Sequence, residues 1–279
     1  MNYGVKATKK RIRAVTSRKK KYANRLFLTF FRTAFVLVLF LCVTGVSTFI
    51  GMFKGILDSS PDFNPDSFTP SGYFSTIYNS AGEVTDTLVG SNSNRIEASY
   101  EDFPQDLIDA FVSIEDSRFW QHSGIDLRSI SRAVVGVLTN NYKGGASTLT
   151  QQLAKNELFT QEKQMARKAA EMFAARDIED YYSKQQIFEM YAGSCYFGNQ
   201  WSGVAQAAQG YFGKPTRELT CAECVVLAGL PNAPSVYAAN GDLARRRALV
   251  VVERMERAKK LTHTQALELR DEVSSLPLW

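Results

Sequence analysis

Residues 113–126 read SIEDSRFWQHSGID, and the nine residues before them, PQDLIDAFV at 104–112, set Leu107, Phe111 and Ile114 at spacings of four and three. That spacing puts three apolar side chains on one face of a helix and predicts that this face is buried against other helices. Glu115 and Asp116 stand just past the stripe, where the helix should end. Taken alone, such an acidic pair is a solvated corner, and His122 is an ordinary polar residue. The residues further along the chain change that reading.

From Pro104 onward the pattern is helical, with further helices predicted at 128–139, 147–158, 163–181, 184–192, 202–211, 218–229 and 241–259 between Gly, Pro or Asn breakers. Residues 144–156, GGASTLTQQLAKN, offer two glycines for close backbone approach and Ser147 as a helix cap. Ser147, Gln151 and Lys155 then repeat every four residues, so a hydroxyl, an amide and an ammonium share one face, suited to one bound anion. Residues 167–179, RKAAEMFAARDIE, bring Arg167, Lys168 and Glu171 within about a turn. Residues 183–214 are rich in aromatics and glycine, and LAGLPNAPSVY at 227–237 is followed by Arg245, Arg246 and Arg247.

A chain of 279 residues with 45% apolar and 12% aromatic content can bury a full core, which excludes a disordered chain. Its formal charge of +5 is an average over unlike regions. Residues 1–32 hold eleven Lys or Arg and no Asp or Glu; the other 247 residues hold 22 basic and 28 acidic side chains, a net of −6. Directly after this basic arm, residues 33–53 (TAFVLVLFLCVTGVSTFIGMF) run 21 residues without a charge, close to the roughly 20 that span a hydrocarbon core as a helix. An uncleaved membrane anchor is therefore expected rather than a signal peptide, whose apolar core is shorter and followed by a cleavage site. The arm places the N-terminus in the cytoplasm and the remainder outside the cytoplasmic membrane, and reads as a topology determinant touching anionic lipid, with no nucleic-acid partner. Residues 54–72 contain Pro61, Pro65 and Pro70 among Asp, Ser and Asn, a linker composition. Residues 73–90 alternate as a short hairpin. Cys221 and Cys224 form C-x-x-C in an apolar helical run, where packing explains them better than redox chemistry.

In this order, the five clusters resemble the peptidoglycan glycosyltransferases of family 51, found as monofunctional enzymes and as the N-terminal part of class A penicillin-binding proteins. The family's signatures are Glu-Asp-x-x-Phe-x-x-His-x-Gly, Gly-x-Ser-Thr-x-Thr-Gln-Gln-x-x-Lys-Asn, Arg-Lys-x-x-Glu, an Ile-x-Glu-x-Tyr segment leading to Tyr-Phe-Gly, and Leu-Ala-x-x-Pro-x-Ala-Pro. The resemblance implies a mainly α, lysozyme-like glycosyltransferase domain with a small β-hairpin over residues 73–260, preceded by one transmembrane helix, with residues 261–279 left as a C-terminal tail. It implies lipid II and the nascent glycan as substrates, β-1,4 polymerisation with inversion, and proteins of a cell-wall synthesis complex as partners. It further implies Glu115 as general base, Glu171 as a second catalytic carboxylate, and Asp116, Ser147, Thr148, Gln151, Gln152, Lys155, Lys163 and Arg167 as substrate-binding residues. A divalent cation, Mg or Mn, comes with the family, its ligands unknown. Ala192 and Gly193 depart from the family's Leu-Asn, and a non-catalytic scaffold that binds lipid II is the alternative this departure supports. A lytic enzyme would have no need of the anion-binding face. The only S-x-x-K, Ser17 to Lys20, lies in the basic arm and K-T-G is absent, so no crosslinking activity is expected.

Overall fold

The computed structural model describes residues 4–16, 18–58, 75–82, 84–88, 95–140, 145, 147–158 and 165–279. They fall into two units, residues 1–59 and 60–279.

The first unit holds α1 (Val5–Thr16) and α2 (Arg18–Asp58). Lys, Arg, Leu and Ala favour helix and no proline intervenes before residue 58, so α2 runs on both sides of the apolar stretch. At 41 residues it measures roughly 60 Å, about twice a hydrocarbon core. Its segment Lys21–Thr48 is long and apolar enough to cross a membrane, and none of it is buried within the protein. Three hydroxyls inside this segment are satisfied locally: Thr33 Oγ1 donates to Thr29 O at 2.8 Å, and Thr44 and Thr48 donate to carbonyls one turn back at 2.9 and 2.8 Å.

The second unit is mainly helical. Strands β1 (Ser75–Tyr78) and β2 (Val84–Leu88) pair antiparallel, Ser75 opposite Leu88, with a bulge between Ile77 and Tyr78. Among the described residues ten α-helices follow: α3 (Gln105–Glu115), α4 (Leu127–Leu138), α5 (Leu149–Leu158), α6 (Met165–Tyr181), α7 (Lys184–Ser194), α8 (Val204–Phe212), α9 (Cys221–Gly229), α10 (Pro234–Ala238), α11 (Gly241–Arg257) and α12 (His263–Ser275). Helix α9 is the axis. From Ala222 to Gly229 every residue is buried, and α3, α11 and α12 pack around it. Leu107 and Phe111 of the predicted stripe are fully buried and Ile114 packs at the edge of the core. Phe111 meets the rings of Phe188, Tyr191 and Phe197 edge-on at 6.0 to 6.3 Å, the arrangement that aromatic quadrupoles favour.

Residues 261–279, set apart as a tail by sequence, contain α12. Thr262 and Gln265 close a capping box at its start. Ala266, Leu269 and Val273 enter the common core, and Arg245 of α11 donates to the carbonyls of Val273, Ser274 and Leu276. Three apolar residues in a polar run were too thin a stripe to stand out, yet they suffice on a helix that caps an existing core.

The cysteines are free thiols. Burial pushes Cys195 and Cys221 up to about 12 and Cys224 higher still. They stay protonated at pH 8, so alkylation of the native protein should leave Cys195 and Cys224 unmodified and the unfolded chain should react at both, as peptide mass mapping will register.

Two glycines are positioned for opposite reasons. Gly124 has φ +78°, and an added Cβ would stand 2.6 Å from Ala175 O on α6; Gly124→Ala should cost about 2 kcal/mol or more. Gly193 is helical with no atom within 4 Å of its would-be Cβ. Gly193→Ala should stabilise by roughly 0.5–1 kcal/mol, both effects being read from denaturant midpoints.

Candidate active site

The loop between α3 and α4 organises the site. Because Gly124 lets the chain lie directly on the α6 backbone, its carbonyl is free to face α5, where it accepts from Thr148 Oγ1 at 2.7 Å and Gln151 Nε2 at 3.3 Å. Asp126 caps α4, accepting from the backbone N–H of Arg128 and Ser129 at 3.0 and 3.1 Å, and Arg118 Nε donates to it at 3.0 Å. Asp116, 7% exposed, is the knot. Its Oδ2 accepts from Leu149 N at the start of α5 at 3.1 Å and lies 2.8 Å from His122 Nε2. A carboxylate facing the first backbone N–H groups of a helix is held by hydrogen bonding and by the helix dipole together.

With α5 fixed in this way, Gln152 Nε2 donates to Glu115 Oε2 at 2.7 Å. Both line a cleft of about 640 Å³. One wall comes from α5, α6 and the turn before α5, with Ser147, Thr148, Gln151, Gln152, Lys155, Lys168 and Glu171; the other comes from α11 and the turn at 230–232, with Asn232, Arg247, Arg254 and Arg257. Glu171 is 2% exposed, and Lys168 Nζ bridges it to Ser147 Oγ with two 2.7 Å bonds. Tyr191 is fully buried, and burial first, then the charge of Cys195 and Glu115, hold its phenol well above the ordinary value.

Of the residues named from sequence, Glu115, Asp116, Ser147, Thr148, Gln151, Gln152, Lys155 and Glu171 line this one cleft. Their tasks divide differently from the expectation. Thr148, not Ser147, caps α5, its Oγ1 accepting from Gln151 N at 3.1 Å, which leaves Ser147 to Lys168. Gln151 and Asp116 are spent on protein partners. Lys163 lies outside the described residues, and Arg167 is described only as a backbone position in α6. Sequence reasoning did not assign Lys168, Arg132, Asn232, Arg247, Arg254 or Arg257 to the site. The available signals were the third signature for Lys168, and for α11 the seven-residue spacing of Arg247 and Arg254 away from the buried stripe Ala244, Ala248, Val251, Val252 and Met255. Gly193 lines a separate small cavity with Phe103, Glu189 and Val204, outside the main cleft.

Among the described residues no three His, Cys, Asp or Glu side chains converge as a metal site. The cleft carboxylates are engaged by Gln152, by His122 and Leu149, and by Lys168. These residues do not fit a divalent cation held by protein donors alone.

Residues 81–256 match the family model described as Transglycosylase. The chain is 36% identical over 225 residues to penicillin-binding protein 1A of Clostridium tetani, covering 79% of this chain and 28% of that protein. It is 39% identical over 236 residues to penicillin-binding protein 1A of Neisseria cinerea, covering 84% of this chain and 29% of the relative. Against penicillin-binding protein 1A of Haemophilus influenzae it is 44% identical over 182 residues, 64% of this chain and 21% of the other. The chain thus spans less than a third of the length of each of these relatives. It belongs to the transglycosylase family.

Asp116→Ala removes the one oxygen that Leu149 N and His122 Nε2 share. It should lower stability by about 2–4 kcal/mol, measured by denaturant unfolding; a loss under about 1 kcal/mol would contradict the role of this carboxylate in holding α5.

Proposed function

We propose that this chain is a peptidoglycan glycosyltransferase that polymerises lipid II into β-1,4 glycan strands and releases undecaprenyl diphosphate. The observation that carries the reading is the juxtaposition, in one cleft, of Glu115 with the hydroxyl and ammonium groups of Ser147, Lys155 and Lys168. A hydrolase needs the carboxylate; the cationic, hydroxyl-bearing wall is what a diphosphate leaving group adds.

Glu115 is the general base. One of its oxygens is held by Gln152, and the carboxylate takes the proton from the 4-hydroxyl of the acceptor GlcNAc as O4 attacks C1 of the donor MurNAc from the face opposite the diphosphate. The C1–O bond breaks, its electron pair leaves with the diphosphate, and the α-linked donor becomes a β-linked product. Negative charge grows on the diphosphate as the bond lengthens, so Lys155, Lys168 and the Ser147 hydroxyl stabilise the transition state more than the ground state. Glu171 positions Lys168. Lys163 and Arg167 would add positive charge, as the resemblance to the family implies. Gln151, Thr148 and Asp116 support the wall rather than touch substrate. A Mg or Mn ion would have to take its ligands from the diphosphate, and no step here passes through one.

The apolar segment of α2 anchors the chain in the cytoplasmic membrane, with the basic arm of residues 1–32 on the cytoplasmic side and the catalytic body, from residue 73 through α12, outside. Tethering to the surface that carries lipid II raises the effective concentration of each for the other. Leu127, Val135, Val137 and Leu138 expose an apolar face on α4, suited to the membrane beside the lipid tail. The scaffold alternative rested on the departure at Ala192 and Gly193; Gly193 lines a separate cavity from the cleft that holds Glu115.

Incubating the detergent-solubilised chain with lipid II should yield glycan polymer, and Glu115→Gln should reduce the rate about 100- to 10,000-fold while leaving lipid II binding in place. Equal polymer from both proteins would remove Glu115 from the mechanism, and binding without polymer in either would return the scaffold reading.

A further inference from the structure

The turn at 196–202, between α7 and α8, and the segment after α12 build an aromatic ledge that the transfer at Glu115 does not use. Trp201 stands edge-on to Tyr211 of α8 at 4.6 Å, and Tyr211 stacks on Trp279 at 3.9 Å with the rings 33° apart. Each ring is held in place. Trp201 lies on α8 where Gly210 has no side chain, and an added Cβ would stand 2.5 Å from the indole. Tyr211 donates through its hydroxyl to Phe197 O at 2.8 Å, and Trp279 Nε1 donates to Tyr237 O at 3.0 Å. Trp279 is nevertheless 41% exposed. It lines a cavity of about 290 Å³ together with Asp242 and Arg245 of α11. A fixed aromatic face with a few polar groups beside it has the make-up of a small-molecule site.

Charge and continuity indicate what fits there. The cleft at Glu115 gathers lysines and arginines, whereas this cavity sets one carboxylate against one guanidinium, whose Nη1 is already committed to the carbonyls of Val273, Ser274 and Leu276. Such a balance suits a ligand without a diphosphate: a hydroxylated ring with an apolar face for the indole and hydroxyls for the polar rim. The ledge also connects to the cleft. Tyr237, whose carbonyl holds Trp279, donates through its own hydroxyl to Asn232 Oδ1 at 3.2 Å, and Asn232 lines the cleft.

We propose that this ledge is a sugar-binding subsite for the glycan strand already made, with one ring of the strand lying on Trp279 and its hydroxyls turned toward Asp242 and Arg245. The inference rests on the polymerisation reading, which supplies the strand. A strand held both at the cleft and at the ledge stays with the protein between transfers, since each contact raises the local concentration of sugar for the other.

Calorimetric titration of the detergent-solubilised full chain tests this with two probes used separately: a soluble β-1,4 octasaccharide of GlcNAc and MurNAc without diphosphate, and geranyl diphosphate as a reporter of the cleft. Trp279→Ala should weaken the octasaccharide about tenfold or more and leave geranyl diphosphate at wild-type affinity, which also reports an intact fold. Should Trp279→Ala lose both, Asp242→Ala at its exposed position decides: a weakened octasaccharide with geranyl diphosphate unchanged supports the proposal, and both at wild-type affinity overturns it. Octasaccharide affinity indifferent to Trp279→Ala, or no octasaccharide binding to the wild type, also overturns it. Polymer from lipid II without binding that depends on Trp279 would reject the ledge and keep the polymerisation reading. Binding that depends on Trp279 in a protein that makes no polymer would sustain the sugar subsite and reject that reading.

Discussion

The carboxylate of Asp116 is the interaction on which the rest of the site depends. It sits at the end of α3, buried, and joins three pieces of chain that are far apart in sequence: its own helix, the His122 turn and the first backbone N–H of α5. Removing a charge from water is unfavourable unless hydrogen bonds replace the solvent, and here a helix N-terminus and an imidazole do so. The consequence is geometric. Once α5 is tied to the end of α3, Gln152 falls within 2.7 Å of Glu115, and the hydroxyl and ammonium groups of the α5–α6 wall face the same space.

That space is electrostatically divided. Glu115 stands on α3 in a cleft whose lining also brings together Lys155 and Lys168 from α5 and α6 and Arg247, Arg254 and Arg257 from α11. Lys168 is ordered between Ser147 and Glu171, and Arg257 pairs with Glu253. The fully buried ring of Tyr191 lies close enough to Glu115 to feel its charge.

Much of this was legible in the sequence because it rests on periodicity and on ordered motifs. The stripe of Leu107, Phe111 and Ile114 announced α3, and the apolar run at 33–53 announced a helix able to cross a membrane, though α2 extends well beyond it because Lys and Arg continue a helix as readily as Leu. Less was legible where a residue's task is set by a partner distant in the chain. Asp116 beside Glu115 reads as a second substrate contact, and only the fold reveals Leu149 and His122 beside it. Ser147 and Thr148 are equivalent as caps on paper; the position of Lys168 and of the Gly124 carbonyl separates them. Helix α12 escaped notice because its three core residues matter only against a surface already formed by α9 and α11. The Ala192–Gly193 departure looked like a threat to the site; Gly193 opens onto a different cavity.

The central claim is that this cleft transfers a sugar from a diphosphate to another sugar rather than to water. The most direct measurement tracks undecaprenyl diphosphate release and glycan linkage together in one reaction on lipid II. The account requires release in step with chain growth, about one diphosphate for each disaccharide added, and a product that a β-1,4-specific muramidase digests to disaccharide units. Release of diphosphate with only monomeric sugar as product, or shortening of a preformed glycan, would contradict it.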